Sequence, residues 1–460
     1  MAETLLWYDY ETSGTDVGFD RVLQFAAIRT NLDLEIVGEP INLYCNPGSD
    51  VIPDPVAMQV TGLKMSYIQQ VGLSEFEFAR KIHEQFAEAQ TCVVGYNSIR
   101  FDDEFTRYLL YRNFFDPYAR EWQGGNSRWD VIDLFRMAAA LRPDGVTWPT
   151  RDDGHLSFRL EHLTAANGIG HEQAHDAVSD VIATIEVTKK LRAAQPKLYD
   201  YSFRMRKKKA VLDQLYPLGK QSLVHVSSMY PAERFCSAVV LPLTVHPTNP
   251  NGVICVDLSE DPTPLMKLGP KELHQRIFTR QKGSNLPRIP LKTVHVNRCP
   301  AIAPLSTLSD RLPTLKIDLD RCREHQTLLQ QSAGLVEKLR EVFSSSDFPV
   351  TQDPDLMLYQ GEFFSGEDRQ VMAAIHDSEP DRLSGFRSQF RDPRLPEMLF
   401  RFQARNFATS LNEEESGRWD EYLEVRKASE TAQDRVTRLH ELLESSPDDE
   451  ILLDLKHYFD

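Results

Sequence analysis

The stretch Leu5-Leu6-Trp7-Tyr8-Asp9-Tyr10-Glu11-Thr12 decides the fold of this chain. Leu5 to Tyr10 reads as a strand, rich in branched and aromatic residues. The strand period of two places Asp9 and Glu11 on one side of a sheet. Working outward, Gln24 to Thr30 and Pro40 to Cys45 read as two further strands. Glu75 to Ala89 has helical spacing at Phe78, Ile82 and Phe86, and Thr91 to Tyr96 is strand-like again. Phe101 to Phe114, Asp130 to Leu141 and Asp176 to Leu191 read as helices, the last with Val178, Ile182 and Ile185 on one stripe. Strands interleaved with helices predict an α/β domain with a mixed central sheet over residues 1–190.

Two acids leaving a strand end together suit a shared divalent cation, although for the pair alone an exposed strand terminus with two solvated acids is the better reading. More acids follow in informative places. Asn97-Ser98-Ile99-Arg100-Phe101-Asp102 sets Asp102 at the start of a helix that follows a strand, where an N-cap is the simpler reading. His175-Asp176-Ala177-Val178-Ser179-Asp180 sets a histidine five residues before an acid. With Asp176 capping the helix, His175 sits in the preceding loop and Asp180 one turn inside. D-x-E on a strand, then N-x-x-x-F-D, then H-x-x-x-x-D is the set that two-metal phosphodiester hydrolysis wants. Hard cations take the carboxylates, and a histidine titrating near neutrality takes the proton of the attacking water.

Hydrophobic residues make up 41% of the 460 and charged residues 26%, which excludes a disordered or collagen-like chain. The N-terminus meets acids before residue twelve, and no stretch approaches the roughly 18 apolar residues of a membrane span. Six scattered cysteines without a C-x-x-C pair read as free thiols in a reducing compartment. A soluble cytoplasmic protein, acting as a monomer, is expected. The net charge of −16 speaks against nucleic acid, but it is unevenly spread: residues 1–188 carry 14 Lys/Arg against 29 Asp/Glu, 189–350 carry 25 against 14, and 351–460 carry 13 against 25. A basic middle between acidic ends fits a phosphate-tracking groove, whereas runs such as Arg204 to Lys209 also read as solvated faces. That middle, residues 196–350, is Pro-rich with short strands at Leu223 to Val226, Val253 to Asp257 and Thr293 to Val296, and reads as a small β domain. Residues 353–460 read as acidic and helical.

The order of these acids resembles the DEDD exonucleases of the histidine subtype. Longer strings resemble the bacterial exonuclease I family within them: Gly95 to Glu104, Tyr111 to Tyr118, Asn126 to Asp130, Ser157 to Leu163, Leu223 to Ser227 and Ala404 to Phe407. That resemblance implies a ribonuclease H-like exonuclease domain, an SH3-like β domain and a C-terminal helical domain. It implies 3′-to-5′ degradation of single-stranded DNA to 5′-mononucleotides, in repair and recombination. Asp9, Glu11 and Asp180 would bind two Mg²⁺ ions, with Mn²⁺ as a substitute. Asp102 would complete the acidic set and His175 would be the general base. Glu11 and Arg159 would touch the substrate at the scissile nucleotide.

Between Arg107 and Arg136 the chain interleaves cations and rings, which suits sequence-tolerant stacking of unpaired bases. Phe114, Phe115 and Trp129 are expected in the core; Arg107, Tyr118, Trp122 and Arg136 match the family's DNA-contacting positions. The family also implies docking of the acidic C-terminal tail of single-stranded DNA-binding protein, with Arg142 and Tyr201 at matching positions. Ser309 and Val336 stand where the family has arginine, and Arg311, Lys338 and Arg340 are nearby. Two rival readings remain. His171-Glu172-Gln173-Ala174-His175 fits the H-E-x-x-H signature of zinc proteases, but the preceding Asn-Gly-Ile-Gly opposes the continuous helix that motif needs. An RNA-trimming relative of the same superfamily would end soon after the H-x-x-x-x-D helix.

Overall fold

A computed structural model describes residues 3–170, 176–278, 289–344 and 350–459. The chain forms two compact units, Met1–Ser127 with His171–Ile185 and Pro349–Asp460, and Arg128–Gly170 with Glu186–Phe348.

In the first unit β1 (Thr4–Thr12) pairs antiparallel with β2 (Val22–Thr30), and β2 pairs antiparallel with β3 (Ile41–Asn46). The short β4 (Leu73–Ser74) lies parallel to β3, and β5 (Thr91–Gly95) lies parallel to β1. The order β4-β3-β2-β1-β5 is a mixed sheet with β1 inside it, as the apolar run of that strand predicts. One face of β1 and β2 sends Leu6, Tyr8, Tyr10, Phe25 and Ala27 into a core. Two short helices, α1 (Pro55–Thr61) and α2 (Met65–Val71), precede α3 (Glu75–Ala87). From α3, Phe78, Ile82 and Phe86 fill that core, joined by Phe105 and Leu109 of α4 (Asp102–Arg112).

The C-terminal segment completes the same core. Met372, Leu395, Met398, Leu399 and Phe402 belong to it, contributed by the helices Gly366–His376 and Leu395–Asn406. Leu439, Leu452 and Leu455 of the last two helices meet Leu23, Met58, Met65 and Ile68. Buried ion pairs tie the two ends of the chain. Arg435 donates to both carboxylate oxygens of Asp20, at 2.6 and 2.8 Å. Arg405 donates to Asp50 at 3.0 Å and to Asp355 at 2.5 Å, with all three side chains buried. Such pairs specify a unique docking because breaking one strands a buried charge.

In the second unit β6 (Ser127–Asp130) marks the entry of the chain. A five-stranded antiparallel sheet follows: β7 (Leu223–Val226), β8 (Ser237–Val245), β9 (Gly252–Asp257), β10 (Leu291–His295) and β11 (Ala301–Pro304), in the order β10-β9-β8-β7-β11. Both faces are covered. Val224, Val226, Val239, Leu241, Ile254 and Val256 pack on Leu335, Leu339 and Val342, while Leu223, Ala238, Val240 and Cys255 pack on Met205, Val211 and Leu215. The helix α5 (Ile132–Leu141), which the sequence pattern groups with the N-terminal α/β segment, puts Met137, Ala140 and Leu141 into this second core. Among the described residues no helix is long and apolar enough to cross a membrane.

Candidate active site

The ladder between β1 and β2 slips by one residue between Glu11 and Thr12, so the strand is re-aimed where its acids lie. Leu6, Tyr8 and Tyr10 point into the core, and the alternation leaves Asp9 and Glu11 on the opposite face. In chain order α6 (Leu160–Ala166) is followed by α7 (Ala177–Ala194), which starts where Asp176 accepts a hydrogen bond from the Ser179 N–H at 3.2 Å. Asp176 is thus the cap of α7, and Asp180 stands one turn inside. Its carboxylate meets the other two: ligand oxygens of Asp9, Glu11 and Asp180 all lie within 4.8 Å of one another.

Three acids this close and this buried resist ionising together. Burial pushes the Glu11 carboxyl up to about 10, helped by Asp9 and then Asp180. Burial and Asp180 raise Asp9 well above the usual carboxylate range, against a lowering hydrogen bond from the Tyr10 backbone. A divalent cation relieves this repulsion. The donor set is all oxygen, which suits hard ions such as Mg²⁺ or Mn²⁺ and not a thiol- or imidazole-preferring metal. The residues fit the metal the sequence predicts.

Asp102 is the first residue of α4 and is 5% exposed. It stands outside the 4.8 Å group but acts electrostatically on Glu11. The turn that delivers it is tight: a Cβ on Gly95 would come within 2.5 Å of the Ser98 side chain. The Thr106 hydroxyl donates to the Asp102 carbonyl and meets the Tyr10 hydroxyl at 3.0 Å, tying α4 to β1. His175 and the whole His171–His175 string lie outside the described residues. Arg159, in the second unit, precedes α6 with its side chain 73% exposed.

The predicted DNA-contacting residues divide. Trp122 is 68% exposed. Tyr118 is half-buried, with the Phe363 ring edge-on at 6.2 Å and the Arg107 guanidinium 5.5 Å from its ring centre. Arg107 itself is buried and committed to carboxylates, at 2.7 Å to Glu104 and 2.9 Å to Glu121, and it donates to the Tyr359 hydroxyl. Arg136, in the second unit, pairs with Asp133 at 2.6 Å and lies over the Phe158 ring. Both arginines make these internal contacts at the positions that the family resemblance assigns to DNA. Phe114, Phe115 and Trp129 are buried, as expected. The sequence reading missed Phe363, which is 87% exposed and reaches Tyr118 from far along the chain with no local motif to announce it.

The predicted partner-tail residues lie in the second unit. Arg142 donates to the Thr307 carbonyl at 3.0 Å, and Tyr201 donates to the Ile302 carbonyl at 2.9 Å. Burial pushes the Tyr201 hydroxyl up to about 12. Of the nearby cations, Arg311 donates to the Ala140 carbonyl, and Lys338 caps carbonyls of Leu265, Met266 and Leu268. Arg340 is exposed.

A mixed sheet of ribonuclease H type with a half-buried triad of carboxylates defines a metal-dependent exonuclease, and comparison with known proteins agrees. The Exonuclease family model matches residues 6–188, the Exonuclease I SH3-like domain residues 206–345, and the Exonuclease I C-terminal domain residues 352–460. Exodeoxyribonuclease I of Escherichia coli is 41% identical over 97% of this chain and 94% of its own length, and that of Haemophilus influenzae 41% over 97% and 95%. Among solved structures, exonuclease I of Methylocaldum szegediense is 48% identical with a TM-score of 0.94, covering 99% of both chains. Exonuclease I of E. coli in complex with a dA16 oligonucleotide is 41% identical with a TM-score of 0.95, covering 99% of both chains. The chain belongs to the exonuclease I family. Neither the zinc-protease nor the RNA-trimming reading survives matches that span all three segments.

Proposed function

We propose that the protein degrades single-stranded DNA from its 3′ end, hydrolysing phosphodiester bonds to release 5′-mononucleotides. The observation that carries this reading is the convergence of Asp9, Glu11 and Asp180 within 4.8 Å in a chain matched end to end by exonuclease I models. Asp9, Glu11 and Asp180 hold two divalent cations, Mg²⁺ in the first instance with Mn²⁺ as a substitute. Bound there, such ions neutralise the scissile phosphate and lower the pKa of the attacking water. The chain's own residues do the rest. Asp102 adds negative potential beside Glu11, His175 takes the water's proton, and Glu11 and Arg159 hold the terminal nucleotide. Trp122, Tyr118 and Phe363 offer rings to unpaired bases. Arg107 and Arg136 contact the single strand.

The same reading assigns three domains, residues 1–190, 196–350 and 353–460, the middle one supplying the cationic track. It assigns repair and recombination as the setting, the cytoplasm as the location, and a monomer as the active form. The acidic tail of single-stranded DNA-binding protein is the partner, received near Arg142 and Tyr201. Digestion of oligonucleotides labelled at either end, single-stranded against duplex, with Mg²⁺ or chelator, tests the activity. Loss of label from the 3′ end of the single strand, only with metal, is expected. Progressive loss from the 5′ end, or equal attack on duplex, refutes the proposal.

A further inference from the structure

Among the described residues, Arg159 makes its hydrogen bonds through its backbone. Its N–H donates to the Ser157 hydroxyl oxygen at 3.4 Å, and its carbonyl accepts from the Leu163 N–H at 3.0 Å. The guanidinium is 73% exposed, and its neighbour Glu161 stands 3.8 Å away, too far for a hydrogen bond. The direction of this arginine is therefore set by whatever fixes Ser157. Ser157 is 2% exposed and its own N–H donates to the Pro149 carbonyl at 2.9 Å. Its side-chain oxygen meets Nδ1 of His162 at 2.8 Å. A hydroxyl has one proton to give. The oxygen, while accepting from Arg159, keeps both that proton and a second lone pair for Nδ1, so in either ring tautomer the imidazole locks the rotamer of the serine.

We propose that His162 is a positioning residue for substrate binding, acting through the Ser157 hydroxyl on the backbone of Arg159 so that the guanidinium is held toward the DNA phosphate. The sequence spacing explains the reach: Ser157 lies before the first turn of α6 and His162 lies inside it, so the ring folds back over the segment that presents Arg159. Without the imidazole the serine rotates freely, Arg159 loses the acceptor for its N–H, and the arginine's stem samples other directions. The ordering cost then falls on binding. A purely structural contact would lower the melting temperature without acting through Arg159.

The inference rests on the reading of Arg159 as a substrate contact, and a double-mutant cycle separates the two. The full chain with Mg²⁺ and a single-stranded oligonucleotide is assayed as Arg159→Ala, His162→Ala, the double variant, His162→Asn and His162→Gln. His162→Ala is expected to raise KM about fivefold, the factor worth one neutral hydrogen bond, with a smaller change in kcat. His162→Asn, which keeps an acceptor near the Nδ1 position, restores most of it, and His162→Gln does not. In the Arg159→Ala background His162→Ala has no further effect. Additive losses in the double variant, or Asn and Gln behaving alike, overturn the positioning role. An Arg159→Ala variant with unchanged KM instead removes Arg159 from the substrate site. Should His162→Ala melt early, the Asn and Gln pair carries the test.

Discussion

Asp180→Asn should make the metal-free protein more stable while ending its activity. Glu11 explains why. An acid whose pKa is raised by folding binds its proton more tightly in the native state, so keeping it ionised costs stability. That cost is absent below the ordinary value of 4.5 and grows as pH rises toward about 10. At pH 7 the chain has moved about 2.5 pH units into that window, which at about 1.36 kcal/mol per unit is roughly 3.4 kcal/mol. Burial and Asp9 supply the larger parts and Asp180 the next, so neutralising Asp180 lowers the Glu11 value, and the recovery appears only where pH exceeds that lowered value. Asp9 responds in the same direction, since Asp180 is the main charge raising it. A gain of about 1 kcal/mol near pH 10, or roughly 2–4 °C for a unit of this size, is expected in chelator.

Thermal melts of parent and variant in EDTA at pH 5 and about pH 10 check this, because the variant's advantage appears only at the alkaline end. With Mg²⁺ the order reverses. The parent gains about 2.7 kcal/mol when the ion is at a hundredfold excess over its Kd, and the variant, short of one ligand, gains little. Single-strand hydrolysis falls to a trace while oligonucleotide binding persists. A variant that melts below the parent in EDTA at about pH 10, or that responds equally to Mg²⁺, refutes the reasoning.

Three further outcomes follow from particular contacts. Although burial alone would raise them, Arg405 with Arg401 or Arg21 holds Asp355 and Asp50 below the usual carboxylate range, so their stabilisation is full above about pH 3.9 and is lost as pH falls through their native values. Arg405→Met should cost roughly 3–5 kcal/mol in urea melts at pH 7 and clearly less at pH 3. Gly14→Ala would set its Cβ 2.3 Å from the Asp20 carboxylate, which Arg435 and Ser13 pin in place, so a loss of about 1–3 kcal/mol is expected by the same assay. Trp122→Ala should weaken oligonucleotide binding by about 1–3 kcal/mol, read by fluorescence anisotropy, with an unchanged melting point; Arg107→Ala should lower the melting point first.

The sequence spoke clearly where a short-range pattern carries the physics. β1, α3, α4 and α7 were readable because alternation or a 3.6-residue stripe marks one buried face, and the acids of the site fall at their ends. β8 was harder: Pro242 interrupts its apolar run, and only the structure shows that the ladder shifts between Pro242 and Thr244, where a missing N–H is tolerated. Arg107 was legible only in part. A cation among rings reads as a DNA contact, but Glu121 is fourteen residues on and Tyr359 comes from the C-terminal segment, so these internal partners leave no local trace. The Arg405–Asp50 and Arg435–Asp20 pairs are likewise invisible until the ends of the chain meet.

Those long-range pairs bear directly on the site. Asp9 and Glu11 of β1 and Asp180 of α7 repel one another when ionised, so β1 is under an outward electrostatic load whenever these acids are charged and no cation is bound. The core face of that strand is held by Phe86 and Phe105, in a core that Leu399 and Phe402 help to fill. The loop that leaves it is held at Asp20 by Arg435, and at the Phe19 carbonyl by Arg426. A site must be kept rigid by what surrounds it if its ligands are to stay in place against their own repulsion. The C-terminal helices supply that restraint by side chains more than 350 positions away in sequence. They are part of the exonuclease unit, and the repulsion they restrain is the property that gives the site its affinity for a divalent ion.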